Sequence, residues 1–347
     1  MSAVLATPHY SARDGDVERD RDSVLATWRG NLGDDGRMPS KYEWFYRRSP
    51  AGAPLLQLLE ADGHDVGTCS AGRRRMLRDG RPLRGGVLVD LAVLPEHRSL
   101  GPALILQQGL FASARRELDL LYGFPNPKAA PVFKRIGYRS LGRMVRHVRV
   151  LRHAPYLARR MPRPLAMLAG PLLDVHARVR DGLRHAQGHA LRATWQDHAD
   201  AQMQAVWDHS VKPDGIVAVR DLQHLRWRFD QAPSSAFRYL LLRRHADDAA
   251  VAWFAVRADG ATLHVHDYWS LQGAAVGTRV LLTLLSAARR AGFAAVSVEL
   301  ATSDAHLMPW AALGFEPRSH RPVFGTWDTG DGDAVPELHL TAADEDE

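Results

Sequence analysis

The sequence almost lacks cysteine: Cys69 is the one cysteine among 347 residues. A single cysteine excludes an internal disulfide and any zinc site built from several thiolates. Long hydrophobic runs are absent too. The longest apolar stretch, residues 165–175, is interrupted by Gly170, Pro171 and Asp174, whereas a bilayer span needs about 18 apolar residues or more. The N-terminus is polar and acidic, unlike a secretory signal. These absences predict a cytoplasmic protein.

Acidic residues are in the minority, because 45 lysines and arginines outweigh 39 aspartates and glutamates and give a formal net charge of +6. Much of the surplus lies in residues 141–188, which hold ten arginines and two aspartates. Such a segment can attract RNA or an anionic membrane surface. The simpler interpretation is a solvated, arginine-rich linker whose composition is typical of GC-rich bacteria.

The chain is long enough for two domains, and its hydrophobic content of 46% suffices for a sizeable core. The predicted elements occur twice in the same order: an apolar strand, a helix, a second strand, and a short helix that ends at a glycine. Asp90 and Gly137 bound the first copy, Asp267 and Gly314 bound the second, and 47 residues separate the bounds in each. Equal spacing with matching order indicates an internal repeat.

We therefore predict five segments: a loose N-terminal lead-in over 1–20, a first domain over 21–150, an arginine-rich connector over 151–190, a second domain over 191–335 and an acidic tail over 336–347. An aromatic cluster also repeats, since Trp44 and Tyr46 are echoed by Trp227 and Phe229. We interpret both clusters as packing, because aromatic side chains dominate cores.

The most informative stretch begins at residue 90 with DLAVLPEHRSLGPA and ends at residue 138. It predicts an apolar strand, a turn with an arginine and a glycine, and a helix from Pro102, where the missing N–H of proline costs nothing. The first N–H groups of a helix have no intrahelical acceptor, and the helix dipole is positive there. This turn can therefore hold an anion such as a phosphate.

The spacing Arg98-x-x-Gly101-x-Ala103 resembles the R/Q-x-x-G-x-G/A signature of the GNAT N-acetyltransferase superfamily, whose loop holds the pyrophosphate of acetyl-CoA. An ordinary strand–turn–helix connection is the alternative. The resemblance extends over nearly the whole chain as two copies, about 20–150 and 190–330, as in a bacterial tandem-GNAT protein. It implies an α/β (α+β) fold of two tandem GNAT domains, each with a mixed, mostly antiparallel central sheet flanked by helices.

The resemblance also implies acetyl-CoA as a co-substrate, and no metal. The splayed end of the first strand would bind the pantetheine arm and polarise the thioester. The loop would hold the pyrophosphate, and a polar residue at the end of the next strand would also bond the pantetheine arm. The implied cofactor-binding residues are Leu91, Ala92, Val93, Arg98, Ser99, Leu100, Gly101, Pro102, Ala103, Asn126 and Phe133. Asn126 can equally serve as a helix N-cap, for which asparagine is favoured.

The general acid is left open by the sequence. Many GNAT enzymes have a tyrosine seven residues after the position of Asn126 that protonates the leaving thiolate, but Phe133 stands there in this chain. Tyr122 and Tyr138 are the nearby alternatives, and packing is the simpler role for each. The acid is also dispensable in principle, because a thiolate with a pKa of about 8.5 is a tolerable leaving group.

A base is needed because the acceptor amine arrives mostly as ammonium. Asp90 is the carboxylate on the cofactor-lining strand, so we predict that it is the base. Glu96 and His97, on a loop expected to be solvated, are weaker candidates. Asp267 occupies the matching place in the second copy, so a structural role for Asp90 is the alternative.

The second copy has a poorer anion loop. When the copies are aligned on their helices, Gln272-x-x-Ala275-x-Gly277 faces the signature. When they are aligned on their strands, Ala275 faces Arg98 and nothing of the site remains. Both alignments predict a degenerate GNAT domain that scaffolds or shapes the acceptor site.

The function implied by the resemblance is that of an enzyme, an acyl-CoA-dependent N-acyltransferase. It would transfer acetyl from acetyl-CoA to a primary amine by direct attack, with an amino sugar or another small metabolite as acceptor. Two alternatives stay open. One is a tandem-GNAT aminoacyl or large-acyl transferase, whose arginine-rich connector would contact a tRNA or a lipid-linked partner. The other is a non-catalytic CoA-binding module.

Overall fold

The computed structural model describes residues 8–127, 129–158, 161–186, 191–233, 236–327 and 335–345. In the first half the chain forms β1 (Tyr10–Gly15), α1 (Arg21–Trp28), α2 (Met38–Lys41), a π-helical turn (Tyr42–Arg47), β2 (Leu55–Ala61), β3 (His64–Arg78), β4 (Arg81–Val93), a 3-10 turn (Pro95–His97), α3 (Leu100–Glu117), β5 (Leu120–Gly123), α4 (Ala130–Ile136) and β6 (Arg139–Val150).

Two helices, α5 (Ala154–Leu157) and α6 (Arg163–Ala186), connect the halves. The second half forms β7 (Leu191–Gln196), α7 (Ala201–His209), β8 (Ile216–Ala218), α8 (Leu222–Leu225), a π-helical turn (Arg226–Asp230), β9 (Phe237–Arg244), β10 (Ala250–Asp259), β11 (Thr262–Ser270), α9 (Thr278–Arg290), β12 (Ala295–Ala301), α10 (Asp304–Ala312), β13 (Glu316–Trp327), β14 (Leu338–Thr341) and a 3-10 turn (Ala342–Asp344).

The strands join into one sheet that runs through both halves, in the order β1-β2-β3-β4-β5-β13-β6-β12-β11-β10-β9-β7. Most neighbours are antiparallel, while β4 with β5 and β11 with β12 are parallel. Helices flank the sheet, so the predicted α/β (α+β) class with a mixed, mostly antiparallel sheet is confirmed. Apolar residues at helical spacing explain α3, because Leu106, Leu110 and Ala114 are all buried.

The halves exchange their late strands. The first half's β6 pairs with β12 of the second half, and β13 of the second half inserts between β5 and β6. Two short strands add a second connection, since β8 pairs with both β3 and β14, and β14 pairs with β12. Each half is therefore completed by the other, which fixes their relative position.

The two repeated aromatic clusters meet at this junction. Trp44 Nε1 donates to the carbonyl oxygen of Trp227 at 2.7 Å, and Trp227 Nε1 donates to that of Trp44 at 2.9 Å. Their rings stack with centroids 5.0 Å apart. The residues that echo one another along the sequence thus contact one another in space.

Parts of two predicted segments are wrong, the lead-in and the tail. Residues 10–15, predicted as part of a loose lead-in, form edge strand β1. The polar sequence of this strand did not predict it. Arg13 forms ion pairs with Glu60 and Asp65, each at 2.9 Å. The described part of the arginine-rich connector contains α5 and α6. The predicted acidic tail contains β14 and a buried turn, because Asp344 pairs with buried Arg220 at 2.8 Å. Residues 346–347 of that tail lie outside the described part of the chain.

Candidate active site

The site opens where two parallel strands separate. β4 pairs with β5 through residues 85–87 and no further, so residues 88–93 diverge from their neighbour. Between the diverging strands lies a cleft of about 830 Å³. It is lined by Asn31, Leu88, Val89, Asp90, Leu91, Ala92, Val93, Arg98, Ser99, Leu100, Ala103, Gln107, Phe124, Pro125, Asn126, Ala129, Val132 and Phe133. The splay predicted at the end of this strand is present.

A β-bulge lies at the start of the splay. Ser70 pairs with Val89 and Thr68 with Ala92, so two residues of β4 stand opposite one of β3. Within the bulge Asp90 has a φ of 53°, a left-handed conformation that aspartate tolerates better than most residues. A bulge re-aims side chains and ends pairing. Here it directs the Asp90 carboxylate to the bottom of the cleft.

The loop after β4 folds back on the strand. Arg98 Nε donates to the carbonyl oxygen of Val93 at 3.0 Å, and its Nη2 donates to Asn31 Oδ1. The next residues begin α3, whose first N–H groups have no intrahelical acceptor. Ser99, Leu100 and Ala103 line the cleft. The start of an 18-residue helix therefore faces a cavity large enough for a ligand.

Two predicted loop residues do not line the cleft. Pro102 is buried under the helix start, and Gly101 is exposed. A Cβ atom at Gly101 would meet nothing within 4 Å, so the space beside it is open. The far wall carries Asn126 and Phe133. Asn126 Oδ1 accepts the N–H of Ala129 at 3.0 Å in the turn before α4, whose N-cap residue is Ala129 and not Asn126.

The two predicted alternative acids do not reach the cleft. Tyr122 is fully buried and donates its hydroxyl to the carbonyl oxygen of Asp344 at 2.9 Å. Tyr138 packs behind Phe133, with ring centroids 5.0 Å apart, and its hydroxyl has no hydrogen-bond partner among the described residues. Burial raises the pKa of both tyrosines above the usual value. Their packing interpretation therefore fits the structure better than a role as the acid.

The weaker base candidates lie outside the cleft as well. Neither Glu96 nor His97 is among the residues described as lining it. His97 Nδ1 instead bonds the hydroxyl of Tyr10 at 3.0 Å. Among the sequence candidates for a base, Asp90 alone lies at the cavity wall.

A second cavity, of about 520 Å³, adjoins the first. Both halves line it, and its wall consists of Trp28, Leu32, Gly33, Asp34, Arg37, Met38, Lys41, Trp44, Asp90, Leu91, Arg228, Ala232, Pro233, Phe237 and Arg257. Asp90 and Leu91 belong to both cavities. A molecule in one cavity can therefore meet a molecule in the other at the β4 bulge.

Asp90 is held by two residues that the sequence analysis did not assign to the site. Lys41 Nζ lies 2.7 Å from Asp90 Oδ1, and the hydroxyl of Tyr46 donates to Asp90 Oδ2 at 2.9 Å. Burial, with the negative charge of Asp90, raises the pKa of Tyr46 well above its usual value, so its hydroxyl stays protonated at neutral pH. Both residues carry a polar group next to or within the aromatic cluster around Trp44, which could have marked them as candidates. Their partner Asp90 is 44 residues or more away in the sequence, so the pairing itself gave no local pattern.

No group of three or more His, Cys, Asp or Glu side chains in the described parts of the chain could hold a metal ion. None of the helices found there is long and apolar enough to cross a membrane.

No protein-family model and no curated protein matches the sequence. Solved structures do match. A conserved protein of unknown function from Enterococcus faecalis, described as a probable N-acyltransferase, superposes with a TM-score of 0.62 and 10% identity over 92% of this chain and 73% of its own. A GCN5-related N-acetyltransferase from Kribbella flavida superposes with a TM-score of 0.60 and 14% identity, over 94% of this chain and 72% of its own. A tandem GNAT protein from the clavulanic acid biosynthesis pathway superposes with a TM-score of 0.52 and 16% identity, over 92% of this chain and 98% of its own. The chain therefore has the fold of the GNAT N-acetyltransferases, in a tandem arrangement.

Proposed function

We propose that the chain is an acyl-CoA-dependent N-acyltransferase that moves an acetyl group from acetyl-CoA to a primary amine. One observation carries the proposal: two cavities, one at a splayed strand and helix start and one between the halves, meet at Asp90 and Leu91. A thioester in the first and an amine in the second would be adjacent there. Holding two reactants together in this way lowers the barrier to reaction.

In this proposal acetyl-CoA occupies the cleft. Its pantetheine arm runs along the unpaired edge of residues 91–93, where the N–H groups that point away from β3 can bond it and polarise the thioester carbonyl. Its pyrophosphate lies at the start of α3, beside Ser99 and Leu100, where the helix dipole and unpaired N–H groups favour an anion. Arg98 anchors this loop to the strand end, and Asn126 and Phe133 form the opposite wall.

The transfer proceeds by direct attack. The lone pair of the neutral amine forms a bond to the thioester carbonyl carbon, and the carbon–sulfur bond breaks to release the thiolate of CoA. The acceptor ammonium first gives one proton to water to become this neutral amine, and the second proton, lost as the carbon–nitrogen bond forms, goes to Asp90, the residue that lines both cavities. The thiolate leaves without a side-chain acid, as its pKa of about 8.5 permits.

Lys41 and Tyr46 are positioning residues in this scheme. They hold opposite oxygens of the carboxylate, at 2.7 Å and 2.9 Å, and so fix its plane. A carboxylate offers about four acceptor positions, which allows the amine to share it with these two donors.

The second cavity favours an acceptor that carries an anionic group besides its amine. Its lining includes four cationic side chains and two carboxylates, a surplus of two positive charges: Arg37, Lys41, Arg228 and Arg257 against Asp34 and Asp90. Arginine recognises carboxylate and phosphate groups well. Amino sugars fit this preference when they carry a phosphate or a carboxylate.

Two measurements test the proposal in sequence. Calorimetric titration with acetyl-CoA should show binding, and its absence would remove the cofactor assignment. Release of free thiol is then followed with matched acceptors, glucosamine against glucosamine phosphate and an alkylamine against the corresponding amino acid. Thiol release that is equal within each pair contradicts the anionic acceptor but leaves the transferase, whereas no release with any amine contradicts the enzyme.

A further inference from the structure

The connecting helix α6 has its apolar side chains on the outside. Leu165, Leu168, Leu172, Val175 and Val179 are between 53% and 73% exposed. They follow one another at intervals of three and four residues, so they form a single stripe along one helix face. Five aliphatic side chains in one exposed stripe are unusual for a protein surface and mark an interaction site.

The opposite face of α6 is fixed against the protein by small and acidic residues. Ala166 is fully buried, and a Cβ atom at Gly170 would lie 2.6 Å from the Cα atom of Ala154 in α5. Asp174 pairs with His153 at 2.7 Å, and Asp181 pairs with Arg289 of α9 at 2.6 Å. These contacts determine the rotation of the helix, so the stripe cannot turn inward.

The charges around the stripe are positive. The acidic residues of α6 are Asp174 and Asp181, and both form ion pairs on the buried side. Arg178 and Arg180 are exposed, and at about 100° per residue they lie on either side of the stripe, each about 100° from its centre. The outer face is therefore aliphatic in the middle and cationic at its margins.

We propose that α6 is an interfacial helix that docks this protein on a membrane surface rich in anionic phospholipids. Its stripe would enter the boundary between headgroups and acyl chains, and Arg178 and Arg180 would reach the phosphates. This pattern is typical of helices that lie in the plane of a membrane. A second copy of α6 fits the same stripe poorly, because it would bring arginines against arginines with no exposed acid on either helix.

Vesicle co-sedimentation of the full chain tests the proposal. We expect binding to phosphatidylcholine vesicles with about one third phosphatidylglycerol and much weaker binding to pure phosphatidylcholine. Replacing Leu168→Gln and Leu172→Gln together should weaken partitioning about tenfold or more, since two aliphatic chains no longer enter the lipid. Replacing Arg178→Gln and Arg180→Gln should weaken it chiefly at low salt, where screening is least.

A matched control is available elsewhere on the surface. Val211 and Met308 are each 66% exposed and lie outside α6, so Val211→Gln with Met308→Gln should leave binding unchanged. Thermal melting of every variant confirms folding, which substitutions at exposed positions should preserve.

Three results would overturn the proposal. They are no binding of the wild type to anionic vesicles, equal binding of the leucine variant, and a wild-type dimer by light scattering that the leucine variant converts to a monomer. Salt-sensitive retention on RNA without vesicle binding would indicate that the arginines bind a nucleic acid, and it would contradict the proposal that α6 binds a membrane.

Discussion

The two halves share a strand, a loop and a helix but differ in what surrounds the loop. In the first half the space beside Gly101 is open and the helix start faces a cleft. In the second half Ala274 and Val276 are buried, and a Cβ atom at Gly273 would lie 2.4 Å from the carbonyl oxygen of Val211. The second loop is filled by its own chain, which supports interpreting that copy as degenerate.

The same contrast holds for the two matching aspartates. Asp90 borders both cavities and pairs with Lys41. Asp267 is fully buried and pairs with fully buried Arg220 at 2.8 Å, next to Thr341. Burial lowers the pKa of Arg220, but Asp267 and Asp344 raise it by more, so the guanidinium stays charged. One copy places its aspartate at the wall of both cavities, with 4% of the side chain exposed, and the other uses its aspartate to connect the halves.

The largest expected effect separates these aspartates. Asp90→Asn should lower kcat/KM by about 10² to 10⁴ by removing the proton acceptor, with a smaller loss of stability than Asp267→Asn because its partner Lys41 is 21% exposed and can be solvated. Asp267→Asn should instead destabilise the fold by about 3 kcal/mol, because it breaks a buried ion pair. Turnover assays across pH 6 to 9 measure the loss of kcat/KM, and denaturant unfolding measures the loss of stability. Full turnover by Asp90→Asn would show that Asp90 is not the base.

Substitutions in the two loops should also have opposite consequences. Ser99→Trp places a bulky side chain at an exposed position that lines the cleft, so it should weaken acetyl-CoA binding by about tenfold or more without unfolding the protein. Gly273→Ala should leave that affinity unchanged but cost about 1 to 3 kcal/mol, since Gly273 has a φ of 69° and contacts Val211. Calorimetry measures the affinity and thermal melting measures the stability of both variants, and equal acetyl-CoA affinity in Ser99→Trp and the wild type contradicts the site.

Tyr46 and Phe229 occupy matching positions in the two aromatic clusters, so Tyr46→Phe makes the first cluster resemble the second at this position. Tyr46→Phe removes the hydroxyl that bonds Asp90 and Ser70. A hydrogen bond to a charged group contributes about 1.5 to 3 kcal/mol, so kcat should fall about tenfold while acetyl-CoA affinity and the KM for the amine change little. A rise in KM at constant kcat would show that Tyr46 acts on binding and not on Asp90.

The smallest effect concerns acid stability. In the strand alignment His266 of β11 matches Val89 of β4, and burial lowers the pKa of His266 to about 3. Its folded pKa lies below its unfolded value, so the unfolded state binds more protons between these values and stability falls as the pH drops below about 6.5. His266→Val should remove about 1 kcal/mol of that loss near pH 5.5. Identical unfolding curves for both proteins from pH 7.5 to 5 would contradict this assignment.

Local patterns in the sequence were enough to predict several features. The 47-residue spacing indicated the repeat, and the stretch from Asp90 to Ala103 predicted a strand, a turn and a helix start suited to an anion. These features depend on hydrophobic period, proline and glycine chemistry and helix-end N–H groups, all set by neighbouring residues. The splay and the place of Asn126 were implied by the resemblance to the GNAT family.

Contacts between distant residues were not predictable in this way. The strand exchange of β6 and β13, the pairing of Lys41 and Tyr46 with Asp90, and the inward turn of Asp174 and Asp181 all join segments far apart in the chain. The polar strand β1 was missed because its sequence lacks an alternating apolar pattern, while backbone pairing with β2 and ion pairs from Arg13 hold it in place.

The sequence by itself determined that one order of elements occurs twice, and it predicted the better anion loop for the first copy, because spacing and residue type are local properties. The tertiary structure alone decided which aspartate faces a cavity, which is locked to a buried arginine, and which face of α6 meets solvent. Those outcomes depend on how the halves pack together, and packing brings together residues whose separation along the chain carries no periodic signal.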